Sequence, residues 1–191
     1  LFIFSSIYIC RGGLKNIFYV SKCNDWTKSL LIGNPIAGSC SNVLLKKELF
    51  IEAGGFDESG KLPEDRDLWL RLSKITEFSI SKDVLSIINI DEDSRSFDID
   101  KKKRHYLNFI KKHGEIISKY KVQGKVDSYY HLSIGNKYLN TNNYLKGVYH
   151  CFVSLLHNPR VIRLVSVRII VAVFCMLTGK EYYRVKMMLK K

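Results

Sequence analysis

The chain has 191 residues, 46% of them hydrophobic and 26% charged. That is room for one ordinary domain or a domain with a small appendage, and too apolar a composition for global disorder. Its formal net charge of +13 favours anionic partners: nucleic acid, acidic lipid surfaces or phosphorylated substrates. The five cysteines are scattered with no Cys-x-x-Cys pair, which argues against a zinc site and suits buried free thiols in a reducing compartment.

In chain order, residues 1–10 (LFIFSSIYIC) read as a strand that ends in a turn at Gly12-Gly13. The chain starts at Leu1, and this apolar start lacks a basic n-region and a small-residue cleavage site, so it makes a poor signal peptide. It is expected to be a fragment of a longer protein. Residues 30–45 read as a loop, broken by Gly33, Asn34 and Pro35, that leads into a strand. Residues 46–56 read as a short helix closed by Gly54-Gly55. A further helix over 67–75 places Leu68, Leu72 and Ile75 on one stripe. Residues 77–90 alternate into one or two strands.

From Lys101 the character changes. Residues 101–121 are helical and very basic, with Tyr106, Phe109, Ile110 and Ile117 as the apolar stripe. Gly124 is expected to separate off a second unit. Residues 129–159 look like a helical hairpin turning at Asn-Thr-Asn-Asn, with Gly135, Tyr138 and Pro159 at positions similar to one tetratricopeptide repeat. The last segment is the most apolar, but Arg163 and Arg168 interrupt it and its unbroken apolar run is nine residues, Ile169 to Leu177. A spanning helix needs about 20 mostly apolar residues. The basic flanks favour an amphipathic tail lying on anionic lipid, with Arg160, Arg163 and Arg168 on one side of the helix; a tail packed on the domain is the alternative.

Adjacent carboxylates stand at the mouth of the 67–75 helix, in Pro63-Glu64-Asp65-Arg66-Asp67. Acidic residues there offset the unsatisfied N–H groups and the dipole of a helix N-terminus, and aspartates also pair with arginines one turn on, here Arg66 or Arg71. A carboxylate is equally suited to remove a proton from an acceptor hydroxyl as it attacks.

The ordered run Gly54, Gly55, Phe56, Asp57, Glu58, then Glu64, Asp65, Asp67, Leu68, Leu70, Arg71 and Leu72 resembles the second half of the catalytic domain of family 2 glycosyltransferases. The resemblance implies an α/β, partial GT-A (Rossmann-like) domain over 1–100. A basic linking helix (101–124), a helical hairpin (125–160) and an amphipathic basic tail (161–191) follow it. It implies an inverting transfer from a nucleotide-sugar donor to a glycan or lipid-linked acceptor in cell-surface polysaccharide synthesis, with Asp65 as general base. Glu64, Phe56, Asp67 and Arg71 are expected to support the site or bind acceptor. Asp91 is expected at the metal and Ser94, Arg95 and Ser96 at the diphosphate, where Arg95 offers forked hydrogen bonds. The intact enzyme is expected to use Mg²⁺ or Mn²⁺. The Asp-x-Asp motif that holds the metal in that family has no counterpart ahead of Asp65, so the nucleotide-binding half is expected to be missing and the fragment alone inactive. The expected location is peripheral, at the inner face of the cytoplasmic membrane. No recognised nucleic-acid motif is present, so nucleic acid is not an expected partner of the enzyme. A non-catalytic basic module that binds nucleic acid or protein is the competing reading.

Overall fold

The structure is a computed structural model, and it describes residues 1–191 except 12, 13, 37, 90–97, 183, 184 and 187–191. The chain forms two compact units, Leu1–Tyr120 and Lys121–Lys191, and it is mixed α/β with a small mixed sheet and a helical C-terminal region.

The first unit is organised by β1 (Phe2–Arg11). One edge of β1 pairs antiparallel with β2 (Leu14–Phe18) and with β3 (Val43–Leu45); β4 (Phe78–Asn89) pairs with β1 in parallel. Phe2 and Phe4 point from β1 to the covered face. Phe2 stacks on Phe78 at 4.1 Å and meets the edge of Trp69 at 5.0 Å, and Phe4 meets Trp26 edge-on at 5.3 Å. Trp26 opens α1 (Trp26–Ile32) and Trp69 lies in α3 (Glu64–Leu72), so aromatic burial joins sheet to helices. The register of β1 against β4 slips between Ser5 and Ile7. The groups freed there are met by a buried polar network. Ser5 Oγ donates to Asn42 Oδ1 (2.7 Å), Asn42 Nδ2 donates to the Ser5 carbonyl (2.6 Å), and Ser86 Oγ donates to Asn42 Oδ1 (3.1 Å).

Between β3 and α3 runs α2 (Lys47–Glu52), closed by Gly54 and Gly55, both at positive φ (78° and 67°). Only glycine takes two such residues in succession without strain. The 67–75 stripe is realised at Leu68 and Leu72, both fully buried, but α3 ends at Leu72 and Ile75 is exposed. The segment that reads as a loop from residue 30 begins instead on the last turn of α1, whose N-cap Asp25 accepts from the Lys28 N–H at 2.8 Å.

The basic helix α4 (Ile99–Lys119), expected from the sequence to link two domains, is part of the first unit. Its buried face is Phe109, His113 and Ile117, so a histidine occupies a place on the stripe that an apolar count passes over.

In the second unit α5 (Gln123–Asn140) and α6 (Tyr144–His157) form the expected hairpin, turning at 141–143. A short 3₁₀ turn, Pro159–Val161, leads into α7 (Ile162–Thr178). Leu132, Leu139, Cys151, Val165, Val171, Ala172, Cys175 and Tyr182 make the core. The second unit, expected to separate off at Gly124, begins at Lys121; Gly124 itself lies in the first turn of α5, where a Cβ would come within 2.7 Å of the His157 carbonyl oxygen. Gly124→Ala is therefore expected to destabilise the second unit by about 1–3 kcal/mol through overpacking against backbone. Thermal unfolding measures it, and an unchanged or raised midpoint would show that the two helix ends part freely.

Candidate active site

Three positions singled out in the sequence, Asp57, Asp67 and Arg71, meet two that sequence reasoning missed, Lys112 and His113. Asp67, in the first turn of α3, is fully buried. Its carboxylate accepts from Arg71 Nε one turn on (3.0 Å), from Lys112 Nζ (3.1 Å) and from His113 Nε2 (2.8 Å), the last two on α4. A carboxylate only accepts, so Nε2 of His113 carries the proton. Arg71 also donates through Nη1 to the Ala53 carbonyl and through Nη2 to the Gly55 carbonyl (2.7 Å), while Lys112 reaches Asp57 at 2.9 Å. One buried carboxylate thus ties the Gly54-Gly55 turn, α3 and α4 together. Asp57 also accepts from the Ser59 N–H at 3.0 Å; bonds from Ser59 and then Lys112 hold its carboxyl well below the usual range. Phe56 leans edge-on against Phe50 at 5.4 Å, yet 39% of it stays exposed, so its ring is both an anchor and a free apolar edge.

Burial pushes the Asp67 carboxyl upward, but the bonds from His113 and Lys112 and the charge of Arg71 outweigh it and hold the group at about 2, against 3.8 for an ordinary Asp. The folded value is the lower one. The stabilisation is therefore complete above the unfolded value and drains as pH falls from about 4 through 2, a loss of about 2 kcal/mol at roughly 1.36 kcal/mol per unit. Carboxyl-detected NMR across that range should show a resonance titrating near pH 2 that disappears in Asp67→Asn. A midpoint at or above 3.8 would remove the clamp's electrostatic basis.

Asp65 stands apart from this knot. It is half-buried on the first turn of α3, where its Oδ1 accepts from the Arg66 N–H (2.7 Å) and its Oδ2 from Asn34 Nδ2 (3.0 Å). Asn34 is held for that task, because its Oδ1 accepts from the Ile36 N–H at 3.0 Å, an Asx turn. In the sequence Asn34 reads only as a loop breaker: Asn-Pro marks the turn, while the partner of its side chain stands 31 residues away. The Arg66 side chain caps the end of α1, donating to the carbonyls of Leu30 (2.7 Å) and Leu31 (2.6 Å), and stacks on Phe109 at 3.9 Å. Next to Asp65, Arg66 thus joins α3 to α1 and α4. Glu64 beside it is exposed. Each carboxylate oxygen carries two lone pairs, so Asp65 keeps accepting capacity toward solvent.

Asp91, Ser94, Arg95 and Ser96 lie outside the described residues. Among the described residues no group of three or more His, Cys, Asp or Glu side chains could hold a metal ion. The Asp57 and Asp67 carboxylates are occupied by cationic partners and do not suit a divalent cation. The described residues therefore do not fit the expected Mg²⁺ or Mn²⁺.

Comparison with protein-family models, with curated proteins and with solved structures returned no match.

Proposed function

We propose that the chain is the acceptor-side part of an inverting family 2 glycosyltransferase of the GT-A (Rossmann-like) fold, transferring a sugar from a nucleotide-sugar donor to a glycan or lipid-linked acceptor in cell-surface polysaccharide synthesis. The observation that carries the reading is Asp65: a half-buried carboxylate on a helix start, aimed by Asn34 and placed eight residues after a Gly-Gly-Phe-Asp turn. In this reading Asp65 takes the proton of the acceptor hydroxyl. The hydroxyl oxygen bonds to the anomeric carbon, and the carbon–oxygen bond to the diphosphate breaks on the opposite face with its electrons leaving on the nucleoside diphosphate. Asp67 and Arg71 hold the helix start that presents the base, and Phe56 offers an apolar edge to the acceptor. In the intact enzyme Mg²⁺ or Mn²⁺ would offset the charge of the leaving diphosphate.

The test is transfer from radiolabelled nucleotide sugars by the product of the whole reading frame, with and without Asp65→Asn. A companion expectation concerns residues 1–191 alone, which lack the metal motif. Calorimetry with UDP-, GDP- and dTDP-sugars and Mn²⁺ should give no saturable binding tighter than about millimolar, the weak regime of roughly −4 kcal/mol. Tighter binding would place the donor site inside this chain and overturn the division of labour. The competing binding-module reading leaves Asp65→Asn without consequence for any function.

A further inference from the structure

The charge of this protein is unevenly placed. Residues 121–191 hold 12 Lys and Arg against 2 Asp and Glu, which is +10 of the total +13. The same unit presents an apolar face with no partner among the described residues. On α6, Leu145, Tyr149, Phe152 and Leu156 are all exposed, Leu145 at 80%. At 100° per residue they fall within an arc of about 60°. On α7, Val167, Ile170, Phe174 and Leu177 are exposed in the same way, Leu177 at 82%. Leu145 and Met176 line one shallow concavity, and the Tyr144 hydroxyl donates to the Lys180 carbonyl at 3.2 Å. The start of α6 and the end of α7 therefore meet.

The arginine expected to interrupt this face does not. Arg168 is half-buried and its Nη1 donates to the Leu132 carbonyl at 3.2 Å, inside the unit. Between Arg163 and Lys180 the outward side of α7 carries no charge. Arg160, Arg163, Lys146 and Lys180 are exposed around its margins. An apolar centre with a cationic rim is the complement of a bilayer interface bearing anionic headgroups.

We infer that the second unit seats the protein on an anionic lipid surface through the outer faces of α6 and α7, with α7 lying in the interface. This stands independently of the transferase reading. By length and composition Pro159–Thr178 could cross a membrane. But α7 shares its core with α5 and α6 through Leu139, Cys151 and Ala172, and crossing would draw Asp127, Lys137 and Lys146 of that hairpin toward hydrocarbon, where charge is strongly disfavoured. A second copy of the unit is repelled by +10 facing +10. Nucleic acid wants a continuous basic groove, whereas here the cations stand at the margins of an apolar centre.

The full chain should co-sediment with vesicles of phosphatidylcholine and phosphatidylglycerol (about 70:30) in low salt, and binding should fall at least roughly tenfold in about 0.5 M NaCl or on neutral phosphatidylcholine. The pair Phe152→Glu/Ile170→Glu should lower binding by a similar factor with helicity by circular dichroism unchanged. Phe152→Trp, a milder reporter, should shift its emission to the blue on anionic vesicles. Absence of binding, salt-independent partitioning into neutral vesicles, an unshifted emission from the Phe152→Trp protein, or binding indifferent to the two glutamates would each overturn the proposal. A concentration-dependent dimer without vesicle binding would assign the face to a second copy instead.

Discussion

Asparagine in place of Asp65 is expected to lower sugar transfer roughly 10²–10⁴-fold in the enzyme that carries both halves, the usual worth of a positioned general base. Donor affinity should stay within about twofold, because the substitution removes only a group that acts as the acceptor hydroxyl attacks. The change is conservative in shape. Asp65 Oδ2 accepts from Asn34 Nδ2 at 3.0 Å, and an amide oxygen at the same place still accepts that bond. What the amide lacks is a site for the proton and a second acceptor: its nitrogen then faces the Arg66 N–H that Oδ1 accepts at 2.7 Å. Asn34→Ala tests the positioning role from the other side: its kcat should fall while donor affinity is retained, and Asn34→Asp should not rescue it, because a carboxylate there has no N–H to give Asp65 Oδ2. Glu64, exposed beside Asp65, serves as the control. If Asp65→Asn turns over normally and Glu64→Gln is dead, the base is Glu64. If Asp65→Asn fails to fold, Asp65 belongs to the helix start as an electrostatic cap and the transferase reading loses its central residue.

How far the sequence leads depends on the reach of each signal. Elements with a local cause are legible: the apolar start is β1, the Gly54-Gly55 stop closes α2, the Leu68 and Leu72 stripe falls on α3, and 141–143 turn the helical hairpin. Features made by long-range partners are not. Nothing near Asp67 announces that Lys112 and His113, 45 and 46 residues on, complete its ion cluster. His113 does lie four residues after Phe109 and four before Ile117, so a helical count that admits buried polar residues finds it. Arg168 reads as a surface charge because hydropathy cannot see the Leu132 carbonyl waiting across the unit. Gly124 reads as the boundary of the second unit, which lies three residues ahead of it; that its place is a close approach to the His157 carbonyl, 2.7 Å from its missing Cβ, is not legible locally. The sheet shows the same limit. Local pattern marks the strands, but that β1 pairs in parallel with β4 and antiparallel with β2 and β3 is a matter of connection, not of pattern.

Removing the Asp67 carboxylate is expected to destabilise the first unit by about 3–5 kcal/mol, the scale for breaking a buried ion pair from one side. That is a large part of the roughly 5–15 kcal/mol that holds an ordinary domain. The penalty is not spread evenly over the three partners. Arg71 keeps the Ala53 and Gly55 carbonyls and Lys112 keeps Asp57, so both retain acceptors. His113 is buried at 5% exposure, and Asp67 is the acceptor its Nε2 is shown to reach; in Asp67→Ala that N–H is left facing an empty space. Asp67→Asn restores an acceptor there without the charge and should recover part of the loss, which separates hydrogen bonding from electrostatics. His113→Leu on top of Asp67→Ala should recover part as well, since an apolar side chain has no bond to miss. Urea unfolding of the native chain and these three variants at neutral pH measures all three differences. A loss under about 1 kcal/mol in Asp67→Ala, or no recovery in the double variant, would show that α4 is held by Phe109 and Ile117 alone. If the loss is as large as expected, its functional consequence follows from geometry. Asp65 lies two residues ahead of Asp67 on the same helical turn, so a released clamp moves the proposed base away from Asn34. Asp67→Asn should then lose transfer at temperatures where it is still fully folded.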